Sequence, residues 1–147
     1  MRAALVGLAV ALLCGACTAS TTSPSTTSTT TTTTSTASAP TSTDTFAGTL
    51  PVGGAVSFPF TVGVYGTVNV TLLDVSGTRV PSTVQLKLGI GTPDDSGACV
   101  LSLTATAKAG SAAQLTGTEQ PGSYCVSVSD VGNLFNTAAF DVSVAHP

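Results

Sequence analysis

Val56-Ser57-Phe58-Pro59-Phe60-Thr61-Val62 alternates large apolar residues with small or polar ones along its whole length. A period of two belongs to a strand with one buried face, because successive side chains point to opposite sides of a sheet. The same period recurs downstream. Val68, Val70 and Leu72 alternate with Asn69 and Thr71, and Val84, Leu86, Leu88 and Ile90 with Gln85, Lys87 and Gly89. Tyr124, Val126 and Val128 alternate with Cys125 and Ser127, and Phe140, Val142 and Val144 with Asp141 and Ser143. Weaker strands are predicted at residues 46–50, 99–104 and 113–118.

Turn formers separate these runs: Gly53-Gly54, Tyr65-Gly66, Ser76-Gly77, Thr92-Pro93-Asp94-Asp95-Ser96-Gly97, Ala109-Gly110, Gln120-Pro121-Gly122 and Val131-Gly132-Asn133. No ten-residue window keeps a helical apolar period without a breaker. About eight short strands with such turns predict an all-β domain over residues 45–147, an antiparallel β-sandwich. Pro59 lacks an N–H, so its strand belongs at a sheet edge or carries a bulge. Phe46, Phe58, Phe60, Tyr124 and Phe140 fall on the inward register. Tyr65 and Phe135 fall in turns, which makes them the candidate ligand-contact residues, with rim packing as their alternative.

The 147-residue chain has 7% charged residues and a net charge of −3. Four Lys and Arg residues exclude the basic footprint of a nucleic-acid binder. Ahead of the domain lie two different pieces. Residues 1–16 carry one charge, Arg2, an apolar run from Ala3 to Leu13, and then small residues. That run is too short to span about 30 Å of hydrocarbon and suits an export signal. Residues 18–44 comprise 27 positions, of which 14 are Thr and 7 are Ser. Such a segment has no apolar face to bury, so it reads as a disordered linker. It spans roughly 30 Å as a coil and roughly 90 Å when straight.

Leu13-Cys14-Gly15-Ala16-Cys17 resembles the end of a bacterial lipoprotein signal. The resemblance implies diacylation of Cys17, cleavage before it, and a lipid-anchored linker over residues 17–44. Cys14 stands where that family usually has Leu. The expected location is therefore the cell envelope, with plain secretion as the alternative. Export brings an oxidising compartment, and Cys99 and Cys125 are the only cysteines of the mature domain, so they are expected to pair. Closing that loop contributes roughly 3–3.5 kcal/mol in the chain-entropy model. Strict alternation puts Cys99 with Leu101 and Leu103 but Cys125 opposite Val126. Either one strand is irregular at its start, or the bond lies at the rim.

The order of Phe46-Ala47-Gly48-Thr49-Leu50, Val56 to Val62, Gly66-Thr67-Val68-Asn69-Val70-Thr71-Leu72, Leu86-Lys87-Leu88-Gly89-Ile90-Gly91 and Pro121-Gly122-Ser123-Tyr124-Cys125-Val126-Ser127-Val128 is similar to the bacterial pre-peptidase C-terminal domain. The resemblance implies a jelly-roll sandwich and a non-catalytic accessory module, in some members binding polysaccharide or insoluble protein.

Chemistry is sparse. A hydrolase needs a nucleophile, a base beside it and a group orienting the base. The single His, His146, stands next to the C-terminus, where chain ends are usually mobile, so no catalytic residue is assigned. Gly89-x-Gly91 is read as turn chemistry at the end of a strand. Asp94-Asp95 either contribute to a Ca²⁺ site or cap a turn, and no matching ligand run accompanies them. Asn69-Val70-Thr71 matches a glycosylation sequon but lies in a strand. No cofactor or metal is expected. The sequence points to a monomeric, non-catalytic module that meets a surface glycan or an envelope protein, or to a spacer without a ligand.

Overall fold

A computed structural model describes residues 35–147. The expected export signal, Cys17 and most of the Ser/Thr tract lie outside the described residues. Eight strands follow in order: β1 (Ser42–Leu50), β2 (Ala55–Val62), β3 (Gly66–Ser76), β4 (Leu86–Pro93), β5 (Cys99–Ala107), β6 (Leu115–Glu119), β7 (Gly122–Asp130) and β8 (Ala138–His146). They form two four-stranded sheets, β1-β8-β3-β6 and β2-β7-β4-β5, with every strand pair antiparallel. This interleaved order is that of a jelly roll.

The period-two residues fill the space between the sheets. Val68, Val70, Leu72, Leu86, Leu88, Ile90, Val126, Val128, Val142 and Val144 have no exposed surface. Burying a large apolar side chain stabilises by about 1.5–3 kcal/mol, and these are set against the entropy of ordering the chain. All five aromatics of the inward register face this core: Phe60, Tyr124 and Phe140 are buried, while Phe46 and Phe58 pack partly buried at its side. Pro59 lies on β2, an edge strand, as its missing donor requires.

The domain starts earlier than residue 45. Ser42, Thr43 and Asp44, expected in the linker, continue β1 in register with His146, Ala145 and Val144 of β8. Ser38 bridges Gly66, its N–H donating to the Tyr65 carbonyl at 3.0 Å and its carbonyl accepting from Thr67 at 2.8 Å. Thr favours extended backbone, and here β8 supplies the partner that a free linker lacks.

Up-and-down alternation sorts the connections between two ends. Residues 51–54, 77–85, 108–114 and 131–137 join strands at one end. Residues 63–65, 94–98 and 120–121 lie at the other, together with Ser38 and Pro147, whose carbonyl accepts from Gly63 at 2.9 Å. A nine-residue strand separates the ends by roughly 30 Å. The chain therefore enters and leaves at the same end.

Candidate functional site

The end opposite the chain entry is built around Asp130, the last residue of β7. Its Oδ1 accepts from the backbone N–H of Gly132 at 2.9 Å, Asn133 at 3.0 Å and Leu134 at 3.3 Å. Its Oδ2 accepts from Gly53 N–H at 2.8 Å, and its own N–H donates to the Gly54 carbonyl at 3.0 Å. One carboxylate thus folds the β7–β8 loop and fastens it to the β1–β2 turn. Burial alone would raise the Asp130 pKa, but the donors of Gly53, Asn133, Gly132 and Leu134 favour the charged form more strongly and hold it below the usual carboxylate value.

Two further contacts extend this frame. Asn136 Nδ2 donates to the Thr78 carbonyl at 3.2 Å, tying in the β3–β4 loop. Gln114 Oε1 accepts from Leu72 N–H at 2.7 Å, and Gly110 N–H donates to the Leu72 carbonyl at 2.9 Å, so the β5–β6 loop grips β3. On this frame stand Val52, Val131 and Phe135, which are 54%, 44% and 86% exposed. Arg79 and Lys108 lie in loops of the same end.

The two aromatics singled out from sequence are not brought together. Phe135 projects at this end, whereas Tyr65 lies at the chain-entry end and is half-buried beside Ser38. They cannot form a joint platform.

The chain-entry end carries His146, Asp44, Asp94 and Tyr124. His146 is not a loose terminus. It closes β8, is 9% exposed, and packs on Phe60 with ring centroids 5.7 Å apart. Its Nε2 lies 3.1 Å from Asp44 Oδ2, and its Nδ1 is buried without a hydrogen-bond partner. A hydrolytic relay needs the nitrogen that is not held by the acid to face a nucleophile. Among the described residues that nitrogen has no hydrogen-bond partner. The Asp94 carboxylate is taken up by its own turn: Oδ1 accepts from the Ser96 hydroxyl at 2.6 Å, Ser96 N–H at 2.9 Å and Ala98 N–H at 2.9 Å. The Ser96 hydroxyl and then the Ala98 N–H hold its pKa below the ordinary value. Among the described residues no three His, Cys, Asp or Glu side chains converge as metal ligands. Tyr124 donates its hydroxyl to the Gln120 carbonyl at 3.0 Å, closing the Pro-Gly turn between β6 and β7. Burial, then the nearby Glu119 charge, raises the Tyr124 pKa.

Cys99 and Cys125 are disulfide-bonded, with Cα atoms 5.9 Å apart. β5 and β7 both pair with β4, so a flat sheet would hold them about 9.6 Å apart, beyond disulfide reach. A bulge closes the gap. Ile90 pairs with Leu103, but Gly91 pairs with Leu101, leaving Ser102 as the extra residue. Ser102 caps the irregularity by donating its hydroxyl to the Ile90 carbonyl at 3.2 Å. The extra residue reverses the faces. Leu103 packs with the core against Gly117, whereas Leu101 covers Gly89 on the outer face. Cys99 follows Leu101 outward and meets Cys125, which points away from Val126. Gly89 and Gly91 lie within β4, not in a turn as their spacing suggested, and both give room to β5 as it crosses.

The Asn69-Val70-Thr71 sequon lies inside β3, with Thr71 buried and Asn69 Oδ1 accepting from Thr116. No protein-family model and no curated protein matches the chain.

Proposed function

We propose that this protein is a non-catalytic binding module of the cell envelope, anchored through a lipid on Cys17 and presenting the Asp130 loop end to a surface glycan or envelope protein. The observation that carries this reading is Phe135. A phenyl ring that is 86% exposed, on a loop held by three N–H bonds to one carboxylate that a fourth fastens to the β1–β2 turn, offers a stacking surface at the end remote from the chain entry. The export signal and the Ser/Thr linker support display away from a membrane. The likeness to pre-peptidase C-terminal domains supports an accessory role, and the jelly-roll strand order agrees with the fold that likeness implies. Membership of that family is part of the proposal.

Binding of the exported chain to peptidoglycan, isolated envelope glycans and envelope proteins tests it. Saturable binding that falls at least tenfold in Phe135→Ala, with unchanged stability, is the expected result; no saturable ligand for the wild type overturns it. A spacer role is the second reading. It is favoured by the loop carboxylates of Asp94 and Asp130 being engaged by their own backbones. Palmitate labelling lost in Cys17→Ala is the expected result for the anchor.

A further inference from the structure

A sheet edge exposes unpaired backbone N–H and C=O groups that can accept another strand. Among the described residues the sandwich has four edge strands: β1 and β6 in one sheet, β2 and β5 in the other. Three of them carry a recognised block. β2 has Pro59 in its middle. β5 is bulged at Ser102 and bound across β4 by the disulfide. β6 is only five residues long.

β1 has none of these features. Its nine residues pair with β8 in unbroken register from Ser42↔His146 to Leu50↔Ala138. It contains no Pro, Lys or Arg. Its one charge, Asp44, points to the inner side, where a free carboxylate would itself discourage an added strand, but His146 engages it. Its outward row is Thr43, Thr45, Ala47 and Thr49, all exposed, uncharged and suited to a strand. Below this edge Phe46 stacks on Phe58 with centroids 4.9 Å apart, and both rings are only partly buried.

We propose that β1 is a self-association edge, and that a second copy of this chain adds to it antiparallel, joining two sheets into one of eight strands. The strand is complementary to itself when paired about Phe46. That register sets Thr43 opposite Thr49 of the second copy, Thr45 opposite Ala47, and Phe46 opposite Phe46. Thr pairs and aromatic pairs are favourable cross-strand neighbours. Asp44 falls opposite Gly48, so the two carboxylates do not face each other. Gly48 brings no side chain of its own to that contact, and the space above its α-carbon is already filled by the Phe140 and Phe58 rings. The contact is isologous, so it closes as a two-fold dimer and does not propagate. It completes the cover of the Phe46–Phe58 stack. A dimer replaces the monomer expected from sequence. It leaves the Asp130 loop end free on both copies, because that end lies beyond the strand termini.

Sedimentation of the exported chain carrying Cys17→Ser, over a range of concentrations, tests the proposal. The expected result is a mass rising to twice the single-chain value. Thr45→Lys with Thr49→Lys, both on the outward row, should return it to one chain with the disulfide and β-sheet circular dichroism intact. Thr43→Cys with Thr49→Cys should give an oxidative covalent dimer, whereas Thr43→Cys with Thr45→Cys should not. A single chain at every concentration overturns the proposal. So does a dimer that survives the Lys pair, or equal trapping in both cysteine variants.

Discussion

The backbone of Val100 runs directly against the α-carbon of Gly91, so that any Cβ at position 91 would overlap the Val100 carbonyl. That approach carries β5 over the outer face of β4 and brings Cys99 to Cys125. The obstructing atoms are backbone, so a side chain at position 91 can be accommodated only by moving the strand.

Gly91→Ala should therefore destabilise the domain by about 1–3 kcal/mol or more, the range for overpacking a close-packed site. It should also leave a larger fraction of free thiol, because the strand that moves is the one holding Cys99. Urea unfolding together with thiol titration checks both. Stability and disulfide yield equal to wild type would contradict the crossing geometry.

Cys99→Ser with Cys125→Ser should cost roughly 3 kcal/mol through the unfolded state, given the 26-residue separation. For a domain of this size that lowers Tm by about 12 °C or more. Because the bond lies on the outer face, away from the apolar core, the variant should keep its fold. Retained β-sheet circular dichroism with a lower Tm is the expected pair of results.

Asp130→Asn should remove a component of the pH dependence of stability. The folded-state pKa of Asp130 is depressed, so its contribution is fully present above the unfolded value of about 3.9 and is lost as pH falls through the folded value. Wild type should lose stability relative to Asp130→Asn on going from pH 5 to pH 2. At pH 7 the substitution should cost about 1 kcal/mol, with solvent screening keeping the figure small. Hydrogen exchange at Gly132, Asn133 and Leu134 should quicken in the variant, since these amides lose a charged acceptor.

The alternation of Val56 to Val62 and its counterparts marked the strands because each has one buried face, and burial is written in sequence with a period of two. The aromatic register from Phe46 to Phe140 followed from the same parity. The start of β1 was hidden, since Ser42 and Thr43 resemble the Ser and Thr before them and their partners lie in β8, about a hundred residues away. Parity also exposed the conflict between Cys99 and Cys125 without locating its cause. Ser102 is an ordinary polar strand residue, and only the pairing with β4 makes it the extra one. Gly89 and Gly91 misled for a related reason: a glycine that admits a neighbouring strand and a glycine that turns the chain look alike. In the candidate site, the exposure of Phe135 was legible from its place between turn residues. The role of Asp130 was not, because its donors come from both Gly53 and its own loop. Tyr65 lies in the β2–β3 connection, at the end of the sandwich opposite Phe135, a separation that only the strand order reveals.

The unbroken β1–β8 ladder has a mechanical meaning. Tension between the linker and a ligand held at Phe135 would draw the start of β1 one way and the start of β8 the other. That slides the two strands past each other in shear, straining all nine register pairs at once instead of peeling them singly. With the anchor and ligand of the proposed function in place, a jelly roll of this connectivity should grip under flow and give way late.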